Sequence, residues 1–189
     1  MTLVVMKMLF RLISALRVEM KSGAQMLACL FKSWGTSHGL TMSRSLWMGA
    51  LLVSFTSIHV SGAIFLIPPF AATLAILAYL PEVSIAQPLP VVCGSVAGAA
   101  MGTLLSLLFG FGPNAAVLAA LGAMIMLPSL RIFHPPGVAL AMYPALLHPT
   151  PWFAVEIVLP FSIAAVLSAC IMSRLLISWP PYPMPLRTE

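Results

Sequence analysis

The segment Arg131-Ile132-Phe133-His134-Pro135-Pro136-Gly137 carries the residue types best suited to bind a small anion. Proline lacks an N–H and disfavours helical geometry in the residue before it, so this double proline ends one helix and begins another. The first N–H groups of the new helix have no intrahelical partner, and the helix dipole is positive at that end. We therefore expect His134, Arg131 and the amides of Gly137 and Val138 to bind an anion. In the alternative, His134 only caps the helix and Arg131 extends to lipid headgroups.

A second double proline, Pro68-Pro69, begins a related short apolar segment. The first short run covers residues 70–80 and the second covers residues 137–147, and each ends near a further proline. At about 1.5 Å per residue, each reaches only about half of a ~30 Å hydrocarbon core. Paired short, proline-interrupted segments are typical of transport proteins with broken helices. The sequence therefore predicts two half-helices.

Four longer apolar runs surround the short ones, at residues 46–66, 91–110, 115–133 and 152–178. Each approaches the ~20 residues that cross a bilayer. The pattern long, short, long occurs twice, which indicates an internal repeat. We predict an all-α polytopic membrane protein with four long transmembrane helices and two half-helices. If the short runs cross the bilayer, the two halves are inverted; if they re-enter, the halves share one orientation.

The composition supports a lipid environment. The chain is 61% hydrophobic and 7% charged, whereas a soluble domain carries about 25% charged residues. Six of the nine Lys and Arg residues precede residue 45, which places the N-terminus in the cytoplasm. We divide the chain into a basic amphipathic arm (1–44), a transmembrane domain (45–178) and a proline-rich tail (179–189). The arm accounts for the basic balance through membrane lipids, without nucleic acid.

The location predicted by these features is the bacterial inner membrane. A secretory signal peptide fits the arm poorly, because basic residues interrupt its apolar stretches. An organellar transit peptide is the alternative, since the arm carries Arg and Ser and only one acidic residue, Glu19.

Three glycines, Gly94, Gly98 and Gly102, recur at four-residue spacing in the second long run. Such a face of small residues lets two helix backbones approach closely in a membrane. We interpret it as a packing surface. The alternative is that the same glycines line a pore.

Enzyme chemistry is not predicted. The chain contains no Asp, no HExxH motif and no phosphate-binding glycine loop, and its three cysteines form no CxxC pair. We therefore expect no catalytic residues, no cofactor and no metal site.

The chain resembles the HPP family of small bacterial and plastid membrane proteins. The resemblance rests on Phe133-His134-Pro135-Pro136-Gly137, on Pro68-Pro69-Phe70-Ala71-Ala72 and on Ala86-Gln87-Pro88, and it covers residues 45–178. It implies four transmembrane helices, a namesake motif at His134, Pro135 and Pro136, and, from some members, nitrite transport. The chain departs from the family pattern at Leu89, where a basic residue is usual, and at Cys93-Gly94-Ser95, where Gly-Gly-His is common.

The leading hypothesis is a transporter or channel for a small inorganic anion such as nitrite, with its site at the half-helix N-termini. A homodimer would help a chain of this length to enclose a solvated path. The alternative is a non-transporting membrane module that binds partners or lipid through its basic arm. Deleting residues 1–40 would separate the two, because only the module would then lose its function.

Overall fold

A computed structural model describes residues 42–58, 67–176 and 179–184, all within one compact unit, Leu40–Glu189. The regular structure in these residues is entirely helical, which confirms the all-α prediction. The predictions for residues 1–41 of the arm and 185–189 of the tail lie outside the described residues. The described residues form six α-helices: α1 (Met42–Ile58), α2 (Ile67–Tyr79), α3 (Ser95–Phe109), α4 (Pro113–Ser129), α5 (Pro135–Leu147) and α6 (Leu159–Leu175).

Proline and glycine determine where several helices begin and end. Prolines occupy the first turn of α4 and α5, where a missing N–H costs nothing. Between α3 and α4, Gly110 has φ 84° and Gly112 has φ 116°. Other residues rarely adopt this backbone geometry, so the glycines make the tight turn that reverses the chain.

The helices form two series of matching length. In the first, α1 has 17 residues and α2 has 13, and a five-residue π-helical segment (Pro90–Gly94) leads into α3. In the second, α4 has 17 residues and α5 has 13, and a five-residue π-helical segment (Ala154–Val158) leads into α6. Each short helix begins at or next to a double proline and is followed by a helix with a π-helical first turn.

Two helical segments among the described residues are long and apolar enough to cross a membrane. They are Pro90–Phe109, with mean hydropathy 1.9, and Ala154–Leu175, with mean hydropathy 2.2. Helices α2, α4 and α5 are shorter apolar helices. The presence of four long transmembrane helices therefore remains a prediction.

Each short helix packs on the long helix of the other series. The rings of Phe70 in α2 and Phe161 in α6 stack with their centroids 3.8 Å apart, and α5 lies along α3. Alanines in α4 and α5 form a second buried cluster around Leu127. Large apolar side chains remain exposed on the outer surface, Ile125 by 72% and Leu175 by 69%. An outer surface of this kind fits contact with lipid.

Candidate functional site

His134 is the residue immediately before α5, and it is completely buried. Its backbone is extended, with φ −134° and ψ 112°, because the following proline disfavours helical geometry. Its side chain makes no capping hydrogen bond to α5. The alternative of a histidine that merely caps its helix therefore does not describe this side chain.

Both ring nitrogens of His134 bond to other parts of the protein. Nδ1 lies 2.9 Å from the carbonyl oxygen of Ile85, in the connector between α2 and α3. Nε2 lies 3.1 Å from Oγ1 of Thr73 in α2, and this threonine is itself buried. One side chain thus joins the start of α5 to a helix and a connector of the first series.

The proton positions follow from the acceptors. A carbonyl oxygen only accepts, so Nδ1–H donates to Ile85. In a neutral ring, Nε2 accepts the hydroxyl proton of Thr73. In a charged ring, Nε2–H donates to Thr73, whose hydroxyl then donates to the carbonyl of Pro69 at 3.0 Å. Either arrangement occupies both nitrogens, so the expected role of the imidazole as a direct anion ligand does not fit this structure.

The expectation of a free amide at Gly137 is wrong. Its N–H donates to the carbonyl of His134 at 2.8 Å. The cause is local: Pro135 and Pro136 carry no N–H, and the extended His134 turns its carbonyl towards the next amide available. Val138 places its side chain in the buried cluster between α4 and α5.

Arg131 lies apart from this buried group. It is exposed and occupies the turn after α4 with φ 57°. Its N–H donates to the carbonyl of Pro128 at 2.9 Å, and that of Ile132 donates to Leu127 at 3.0 Å. This left-handed turn ends α4 in the manner of a helix C-cap. Arg131 thus does not join His134 in one anion-binding group.

The two double prolines do meet. A groove of about 350 Å³ is lined by α2 and α5, and its lining residues are Pro68, Pro69, Ala72, Ile76, Pro135, Pro136, Ala139 and Tyr143. Pro68 and Pro135 are exposed, whereas Pro69 and Pro136 are buried. The positive ends of two helix dipoles therefore border one groove with an almost wholly apolar surface.

The glycine face of α3 holds α5 in place. A Cβ on Gly98 would collide with the carbonyl of Gly137, and one on Gly102 would collide with that of Ala141. A Cβ on Gly94, in the π-helical segment before α3, would likewise collide with the carbonyl of Ile132. The three glycines therefore allow the backbone of the broken segment to contact the neighbouring helix directly.

The tail after α6 covers the connector that His134 bonds. The hydroxyl of Tyr182 donates to the carbonyl of Ala86 at 2.9 Å, and Gln87 accepts from the N–H of Met184 at 3.1 Å. Burial raises the pKa of Tyr182, which keeps its hydroxyl protonated as a donor. Neither this contact nor the pairing of Thr73 with His134 was predicted from the sequence. The available signal was one hydroxyl in the first turns of an otherwise apolar helix.

Comparison with known proteins gives the family. No curated protein and no solved structure matches the chain. The sequence model of a family described as "HPP, transmembrane region" matches residues 36–183. This range includes both double prolines, the buried histidine and the glycine face. The chain is a membrane protein and belongs to the HPP transmembrane family.

Proposed function

We propose that the protein carries a small monovalent anion, with nitrite the best single candidate, across the bacterial inner membrane. The proposed path includes the groove between the N-terminal ends of α2 and α5. His134 acts as a positioning residue that holds these ends together through Thr73 and Ile85. The anion itself contacts the residues that line the groove.

One observation carries this proposal: two proline-initiated helices line the same groove at their N-terminal ends. Each helix end is equivalent to about half a positive charge, so two of them favour an anion. Neither helix contains an acidic residue that would repel it. Half-helix N-termini directed at an anion are a recurring device in transporters.

The lining favours one class of anion over another. Its walls are apolar and carry no charged side chain, so an ion that enters gives up hydration without a full countercharge. The cost of that step rises steeply with ionic charge. A monovalent, weakly hydrated anion is therefore favoured over a divalent one such as sulfate.

The matching helix series support an internal repeat. Two symmetric halves place their half-helices together near the middle of the bilayer. The groove is open where Pro68, Ala72 and Pro135 are exposed. We propose that a second copy of the chain closes this side.

Uptake into proteoliposomes tests the proposal. Purified protein is reconstituted, and nitrite, nitrate, formate, chloride and sulfate are compared with empty liposomes. We expect saturable nitrite uptake and little sulfate uptake. Equal rates in filled and empty liposomes for every monovalent anion, with folded protein present, would contradict transport. Sulfate uptake as fast as nitrite uptake would contradict the selectivity argument.

A further inference from the structure

The connector between α2 and α3, residues 80–87, has little regular structure to hold it in place. A single 3₁₀ turn, Ser84–Ala86, is its regular part, and such short turns make hydrogen bonds of poor geometry. The N–H of Gln87 reaches the carbonyl of Ser84 at 3.2 Å, the long end of the usual range. A segment of this kind opens at a low cost in free energy unless contacts from other parts of the chain hold it.

The tail supplies two contacts of this kind, and we call its described residues, 179–184, the strap. The hydroxyl of Tyr182 donates to the carbonyl of Ala86 at 2.9 Å. The N–H of Met184 donates to the side-chain oxygen of Gln87 at 3.1 Å. Ala86 and Gln87 are both buried. The strap therefore bonds to the backbone and to a buried side chain of the connector.

Tyr182 is also bonded to α6. Its carbonyl accepts from the hydroxyl of Ser173 at 2.9 Å, and Ser173 lies in the last turn of that helix. The backbone and the side chain of one residue thus bond to different partners, so Tyr182 bridges α6 and the connector. Tyr182 is 5% exposed, and a hydrogen bond shielded from water in this way is stronger than an exposed one.

The two walls of the groove are held in different ways. The α5 wall contacts the backbone of α3 at Gly98, and main chain cannot rotate away. The α2 wall is joined to α5 by the side chain of His134, whose Nε2 lies 3.1 Å from Oγ1 of Thr73. Nδ1 of the same ring bonds to the carbonyl of Ile85, which directly precedes the strap's acceptor, Ala86. The position of α2 relative to α5 therefore depends on a ring that is anchored to the connector.

We propose that Tyr182 is a positioning residue for the groove: the strap fixes the connector, and the connector fixes the ring of His134 between α2 and α5. Tyr182 is not among the residues that line the groove, so it acts only through the connector. Release of the strap lets α2 move away from α5 and opens the groove. The consequence for transport rests on the proposed function, whereas the effect on the groove does not.

Two measurements on the purified full-length protein test this role. Hydrogen exchange followed by mass spectrometry reports on the connector. Labelling of Ala139→Cys with N-ethylmaleimide reports on the opening of the groove, because Ala139 is a half-buried lining residue. For labelling, the three native cysteines are replaced by serine. Tyr182→Phe removes the hydroxyl and keeps the ring, and Tyr79→Phe is the matched control because its hydroxyl bonds to no residue that the structure describes.

The net loss of one hydrogen bond raises the population of the released connector by up to about tenfold. In Tyr182→Phe we therefore expect exchange of residues 80–87 and labelling of Ala139→Cys to become faster by up to about tenfold, with exchange in α4 unchanged. Both rates should keep their wild-type values in Tyr79→Phe. Ser173→Ala, which releases Tyr182 from α6, should give the same result from a second position.

Unchanged exchange of the connector in both Tyr182→Phe and Ser173→Ala would overturn the proposal. Faster exchange of the connector without faster labelling of Ala139→Cys would overturn it as well, because the strap would then not act on the groove. An equal rise of exchange in α4 would contradict a positioning role, since it would show a general loss of stability. Neither measurement uses transport, so these outcomes are distinguishable from a failure of nitrite uptake.

Discussion

Replacing Gly98 with alanine tests the direct contact between α3 and α5. The added Cβ would collide with the carbonyl oxygen of Gly137 and lie 2.7 Å from its carbonyl carbon. Carbon atoms in contact are about 3.5–4.0 Å apart, so the two backbones must separate by about 1 Å. The obstacle is main chain, which cannot rotate away as a side chain can.

Two opposing effects determine how much Gly98→Ala changes the free energy of unfolding. Overpacking of this kind costs about 1–3 kcal/mol, and the rigid obstacle favours the upper end. Alanine in place of glycine regains about 1 kcal/mol of helix propensity. The expected net loss is about 2 kcal/mol, equivalent to a fall of roughly 4–8 °C in Tm for a chain of this size.

Gly122→Ala is the matched control. Its Cβ would meet only the ends of side chains, the nearest being Cδ1 of Leu105 at 3.4 Å. This variant keeps the gain in helix propensity, so its Tm should be unchanged or higher. Both variants are melted in the same detergent and followed by loss of the monodisperse peak on size-exclusion chromatography. Equal Tm values for Gly98→Ala and Gly122→Ala would refute the reasoning.

Two further predictions concern stability. Thr73→Val keeps the side-chain shape but leaves Nε2 of His134 without its partner, at an expected cost of about 1–3 kcal/mol. Thr103→Val is its control, because that hydroxyl bonds only to its own helix, and similar Tm losses in the two variants would contradict the role of His134. Gly112→Ala should destabilise by about 1–3 kcal/mol because of its positive φ, whereas Gly49→Ala, with open space around it, should not. Equal Tm values for Gly112→Ala and Gly49→Ala in a thermal melt would contradict the role of the positive φ at Gly112.

The helices could be predicted from local chemistry. Double prolines terminate one helix and begin the next wherever they occur, so the short runs 70–80 and 137–147 correspond closely to α2 (Ile67–Tyr79) and α5 (Pro135–Leu147). The length of an apolar run predicted the end of a helix less well. The run 115–133 extends beyond α4, which ends at Ser129, because the left-handed turn at Arg131 could not be read from hydrophobicity.

The site could be predicted only in part. The position of His134 at a helix start follows from the prolines beside it. Its partners do not, because Thr73 lies 61 residues away and Ile85 lies 49 residues away. The expectation of a free amide at Gly137 was wrong for a related reason. Helix N-termini generally have free N–H groups, but here the extended residue before the two prolines directs its carbonyl to the amide of Gly137.

Nitrite uptake by a protein with a filled groove tests the central claim most directly. Ala72 is exposed and lines the groove, and Ala164 is an exposed alanine on α6 that does not line it. Ala72→Phe and Ala164→Phe add the same volume, so initial uptake rates are compared at equal amounts of folded protein. We expect Ala72→Phe to lose most of its uptake and Ala164→Phe to retain the wild-type rate. Wild-type uptake by both variants would contradict a path through the groove.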